Sequence, residues 1–326
     1  MNAIINNFIF FTFGIFYYFI GILIKYFNFN LFESYLLITF IIIYGFLSSN
    51  LFIIRDNIHP STTLKNLFNL SFKEKIILIF SCCPFYKLIV LSYINLDPVI
   101  IQLINSLRIC INPIIYSLYY KEYYLFNLIL IISILINVIA CIIPLIFNDN
   151  FTLTNLNKIN DFSIISIFNT IICMILTTIN NIFNEKICIK YDLINNFGLN
   201  TFIVYTFIII DLLFSLLLIP IIFIINYFLN NYNIDNLISL QNFYLINILG
   251  CLIGLLYGPY NILVNKCYLK ITSLNVCIMN NLVLITTIII SCLLKISLFH
   301  YLYIPSIILI ILTSIIITFK VEKLKN

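Results

Sequence analysis

Apolar residues run through this chain in long blocks, separated by short polar breaks. The blocks have the length of bilayer-crossing helices, for which about 20 apolar residues suffice. Ten are predicted: α1 (4–27), α2 (31–54), α3 (76–95), α4 (97–121), α5 (125–147), α6 (162–188), α7 (200–228), α8 (243–267), α9 (273–298) and α10 (301–319). Pro84 interrupts α3, and Pro220 breaks the pattern of α7. The first block is too long for a signal-peptide core and lacks a preceding basic residue, so it is expected to stay as a helix. The polar segment 148–161 divides a first five-helix half (1–147) from a second (162–319), and 320–326 is a basic tail.

One block stands out within this pattern. In α4, DPVIIQLINSLRICINPIIYSLYYK, the residues Gln102, Asn105, Arg108, Asn112, Tyr116 and Tyr119 follow one another at spacings of three and four. That period gathers them on one helix face, with Ile, Leu and Val around the rest. An arginine half-way through a lipid-spanning helix costs roughly 2.5–3.5 kcal/mol unless it faces protein or water. The stripe is therefore expected to face a polar interior that the other helices enclose. α6 carries a second stripe of Asn169, Cys173, Thr177, Asn180 and Asn184. α8 carries Gly250, Gly254 and Gly258, a small-residue spacing that lets two helices approach closely in lipid.

Composition agrees with the pattern: 63% of residues are hydrophobic, 9% are charged, and mean hydropathy is +1.12. These values exclude a soluble domain. Ten cysteines without a Cys-x-x-Cys pair indicate neither a disulfide framework nor a zinc site. No cofactor, metal or nucleic-acid partner is expected. Charge sets the orientation. With ten helices, twelve cations (Arg55, Lys65, Lys73, Lys75, Lys121, Lys186, Lys190, Lys266, Lys270, Lys320, Lys323 and Lys325) fall on the side of the termini. Only Lys25, Lys158 and Lys295 fall opposite. The positive-inside rule then puts both termini in the cytosol.

The stretch 105–121 of α4 also resembles 280–295 of α9 with a one-residue gap. Copies five helices apart run in opposite senses, as in the inverted repeats of alternating-access carriers, which hold substrate near the midplane. The run 86–140, containing NLDPVIIQLINSLRICINPIIYSLYYKEYYLFNLILII, resembles the drug/metabolite transporter superfamily, and within it the chloroquine-resistance-transporter-like proteins. NNIFNEKICIKY (180–191), the Leu-Asn pair at 199–200 and Leu218-Ile219-Pro220 are similar to that family's sixth and seventh helices. YNILVNKCYLKITSLNVCIMNN (260–281) is similar to its eighth-to-ninth junction. The resemblance implies a ten-helix carrier in a vacuolar or other endomembrane, moving amino acids, peptides, thiols or amphiphilic cations, with coupled protons as a further candidate partner. The chain departs from that family in its short, cysteine-free connection between α7 and α8. It departs again in placing Lys87 and Arg108 where members look apolar.

Candidate substrate-binding residues are Lys87, Gln102, Asn105, Arg108, Asn112, Thr177, Asn180, Asp211 and Asn280. Plainer roles compete for some of them. Arg108 and Asp211 would also serve as a structural ion pair, and Lys87 and Lys25 would snorkel to an interface. A small polar or zwitterionic solute is the expected substrate, and Lys87 with Arg108 makes an anionic one, such as a nucleotide sugar or phosphorylated metabolite, the alternative. The sequence holds no catalytic cluster of His, Asp or Ser and no selectivity loop, so neither an enzyme nor a channel is expected.

Overall fold

Every regular element of the computed structural model is an α-helix among the described residues. Those residues are 19–55, 89–120, 127–146, 161–190, 197–229, 240–268, 273–296 and 301–325, with Thr12, Ile15, Ser71 and Phe72 besides. α1 is described over 19–26 and α3 over Ile89–Asn95, so the predicted start of both helices lies outside the described residues. α2 spans Leu31–Arg55, α5 Leu128–Ile146, α6 Asp161–Lys190, α8 Leu240–Tyr268 and α9 Ser273–Leu293. Three stretches are long and apolar enough to cross a membrane: Leu31–Asn50, Pro98–Leu118 and Gln241–Pro259. Shorter apolar helical stretches occur in α5, α6, α7, α9 and α10.

Four boundaries correct the sequence reading. α4 is two segments, Pro98–Ser106 and Arg108–Tyr120, instead of one helix. Around Leu107 the ladder tightens to a three-residue step, with Leu107 N–H on Ile104 O and Cys110 N–H on Leu107 O. One turn later Pro113 has no N–H to give Ile109 O, so regular bonding is weak on both sides of Arg108. α7 runs unbroken over Phe197–Leu229 with Pro220 inside it, since losing one ladder bond does not end a helix this long. α9 stops at Leu293, five residues early, because Lys295 is left-handed (φ 56°). Ile296 N–H reaches back to Ser291 O and Lys295 N–H to Cys292 O, closing a Schellman cap. α10 extends over Tyr303–Lys325, carrying the basic tail as helix.

The helices form two compact units, 1–27, 91–182 and 271–326 in one, 28–90 and 183–270 in the other. Each draws helices from both sequence halves.

In the first unit α4 is central. All nine residues of Pro98–Ser106 are buried, so its apolar flanks meet other helices and not only its polar stripe. Val99 and Leu103 pack with Ala140 and Cys141 of α5, Leu284 and Ile288 of α9, and Tyr303 and Ile310 of α10. Further along, Ile109 and Cys110 meet Leu130 and Ile317. The order of these contacts makes α10 parallel to α4 and α5 antiparallel to it. Polar bonds tie the helices together: Asn137 Nδ2 donates to Thr313 Oγ1 (2.7 Å), and Ser106 Oγ lies 3.0 Å from Cys141 Sγ. Such bonds contribute about 0.6–2 kcal/mol each between helices in lipid.

In the second unit α2 packs between α7 and α8. The glycines of α8 set the spacing. A Cβ on Gly254 would stand 2.6 Å from Tyr44 Cβ and 2.7 Å from Ile41 O, and one on Gly258 would meet Gly45 O. This face is backbone-to-backbone packing, as the spacing predicts, and Gly45 is its counterpart on α2. Outward faces are apolar at helical period: Leu128, Ile132, Leu135, Ile139 and Ile142 on α5, and Tyr244, Ile248, Leu252 and Leu255 on α8 are all exposed. Stripes of that extent suit lipid and not water.

Candidate functional site

The α4 stripe lies inside the first unit. Gln102, Asn105, Arg108 and Asn112 are 0%, 3%, 7% and 1% exposed, so four polar side chains are withdrawn together from the surface. Tyr116 is half-buried, and Tyr119 lies outside the described side chains. Arg108 opens the second α4 segment, directly after the irregular turn at Leu107. Irregular backbone at membrane depth is tolerated only where it is buried in protein or lines a water-filled cavity. All four lie buried on α4, on either side of that turn.

The stripe consists of hydrogen-bonding groups, amides and one guanidinium. Each amide offers donors and acceptors, and a guanidinium offers five N–H groups in a planar fork suited to a carboxylate or phosphate. Among the described residues, no three His, Cys, Asp or Glu side chains gather as a metal ion would require. Thr287 on α9 and Ser133 on α5 are buried in the same unit, but their hydroxyls bond carbonyls four residues back on their own helices. Hydroxyls bound in this way serve their own helix first.

The other candidates are spread through the fold. Thr177 is half-buried on α6 in the first unit, and its hydroxyl donates to Cys173 O (2.6 Å). Asn180 and Asn280 sit on α6 and α9 by their backbone, and their side chains lie outside those described. Lys87 lies outside the described residues. Asp211 belongs to the second unit, at mid-length of α7. Its carboxylate is within electrostatic reach of Tyr35, whose hydroxyl donates to Ser215 O (3.2 Å). Gln102, Asn105, Arg108 and Asn112 thus lie buried on α4 in the first unit, and Asp211 lies on α7 in the second.

Lys25 does something other than its position implies. Lys25 does not stretch outward to water: its amine donates to Ile94 O and feels the Asp97 carboxylate. Asp97 itself caps α4, accepting from Val99 N–H at 2.7 Å. Ser92 Oγ donates to Ser166 O (2.9 Å), and Asn169 Nδ2 to Ser92 Oγ (3.1 Å), joining α3 to the α6 stripe. Glu33 of α2 is a further buried acid, to which the hydrophobic pattern gives no role. It is 4% exposed, and its carboxylate accepts from Asn30 N–H (3.0 Å) and Asn242 Nδ2 (2.7 Å). Asn30 followed three residues later by glutamate is a capping-box spacing that would have revealed the first of these bonds.

Neither a protein-family model nor a curated protein sequence matches the chain.

Proposed function

We propose that the chain is a secondary transporter that moves small polar or zwitterionic metabolites, such as amino acids or peptides, across an intracellular membrane by alternating access. The observation that carries this reading is the buried amide-and-guanidinium stripe of α4, interrupted at Leu107 beside Arg108. Interrupted helices that present polar groups at mid-depth are how many carriers build a substrate site. A helix serving only as a scaffold has no use for an arginine there.

Ten crossings arranged as two inverted five-helix repeats belong to the same proposal, and the helix directions support it. Within the units, the even-numbered pairs α2–α8 and α4–α10 run parallel, while α7 runs against α2 and α5 against α4. Serial crossing of a bilayer demands this alternation. α2 packs on α7, α4 on α9 and α5 on α10, each helix on its counterpart five places later. The likeness to chloroquine-resistance-transporter-like proteins points the same way and is the basis for a vacuolar or related membrane. Arg108 favours one variant of the proposal, an exchanger of anionic metabolites such as nucleotide sugars or phosphorylated compounds.

Uptake by proteoliposomes offered a panel of labelled amino acids, peptides, nucleotide sugars and phosphorylated metabolites tests the proposal. At least one solute should enter saturably and faster than into protein-free vesicles. Equal entry of every solute into both would sink it. Orientation has its own test. With both termini cytosolic, protease added outside sealed, right-side-out organelles should remove a tag placed after Lys325. A fully protected tag would reverse the assignment of sides.

A further inference from the structure

We infer that α2 and α8 form one cooperative body, clasped by Glu33, which any conformational change of the protein must move as a whole. The contacts recur from the N-terminal ends to past the middle of both helices. At the N-terminal ends, the single carboxylate of Glu33 serves two helices: one oxygen accepts from Asn30 N–H, at the cap of its own helix, and the other from Asn242 Nδ2 of α8. Two turns further along α2, Phe40 meets Phe243 edge-on with ring centroids 5.9 Å apart. Phe40 also closes over Gly250, where a Cβ would come within 2.5 Å of it.

Next, the Tyr44 hydroxyl donates to Asn247 Oδ1 (2.8 Å). Beyond that Gly45 faces Gly254 and Gly258, and Ser48 Oγ approaches Gly254 O (3.5 Å) while bonding Gly45 O (3.0 Å). Glycine faces alone would permit sliding. Side-chain bonds at several depths fix the register, and a carboxylate buried at one end cannot lose its partner cheaply. α7 is held to α2 differently, by Tyr35 on Ser215 O and by the Phe32–Phe223 ring contact, with no glycine between them among the described residues.

Hydrogen exchange on the full-length protein in lipid nanodiscs tests this without any substrate, so its outcome is independent of the transport proposal. Amides of 37–48 and 246–258 should exchange slowly and open together. Asn242→Ala removes a hydrogen bond to a charged group and should accelerate exchange about tenfold or more in both segments. Acceleration in α8 alone, or in neither helix, would overturn the inference. If Asn242→Ala yields no folded protein, Tyr44→Phe deletes only the hydroxyl on Asn247. It too must speed both helices in step, and a response in one alone would overturn the inference.

Discussion

Arg108→Lys should fold at wild-type yield and transport poorly, with a raised half-saturation for substrate. Arg108 lies about ten residues from either end of α4, roughly 15 Å at 1.5 Å per residue, and is buried. That depth denies it easy snorkelling. In the proposed carrier its guanidinium meets a substrate carboxylate or phosphate with two parallel bonds, for which lysine can substitute only a point charge. Losing a charge-assisted bond costs roughly 1.5–3 kcal/mol, so half-saturation should rise about tenfold or more. A purely structural arginine predicts a different pattern. Arg108→Ala would then misfold, and adding Asp211→Ala would restore expression and transport together. Recovery of transport in that double variant would exclude substrate binding by Arg108.

Gly254→Leu should reduce folded yield and melting temperature more than any single change on the outward face of α8. Even a methyl group at this position would press on Tyr44 Cβ and on the Ile41 carbonyl, and backbone cannot turn aside as a side chain can. Overpacking typically costs 1–3 kcal/mol, and here the larger side chain must separate two helices bonded along several turns. Leu252→Ala, on the exposed face of the same helix, serves as the control and should melt like wild type. Melting curves on detergent-purified protein decide it. An unchanged melting temperature for Gly254→Leu would mean that α8 does not pack on α2 through its glycines.

What the sequence made legible is what periodicity controls. The α4 stripe, the glycine face and most helix limits follow from spacings of three and four, because helix geometry alone sets them. The interruption at Leu107 was illegible, since Leu107 itself is an ordinary helix former and the irregularity depends on backbone bonding near Pro113. The early end of α9 escaped for a related reason: lysine rarely takes the left-handed conformation that closes a helix. Pro220 misled in the opposite sense, because its neighbours are strongly apolar and the helix absorbs the loss. Partners were the least legible feature. Nothing in the spacing of α2 announces that Gly45 will meet Gly258, or that Glu33 will hold Asn242 at a separation of 209 residues. The spacing did not reveal either that the first α4 segment is buried all round, which depends on how many helices surround it.

The most direct measurement of alternating access is trans-stimulation in proteoliposomes. Vesicles holding the protein would be preloaded with the solute that the uptake panel identifies, and entry of the labelled form followed. A carrier whose site faces one side at a time returns faster when loaded, so preloading should accelerate entry several-fold. Arg108→Lys should blunt that acceleration. Entry that rises linearly with concentration and ignores the internal solute would contradict the account.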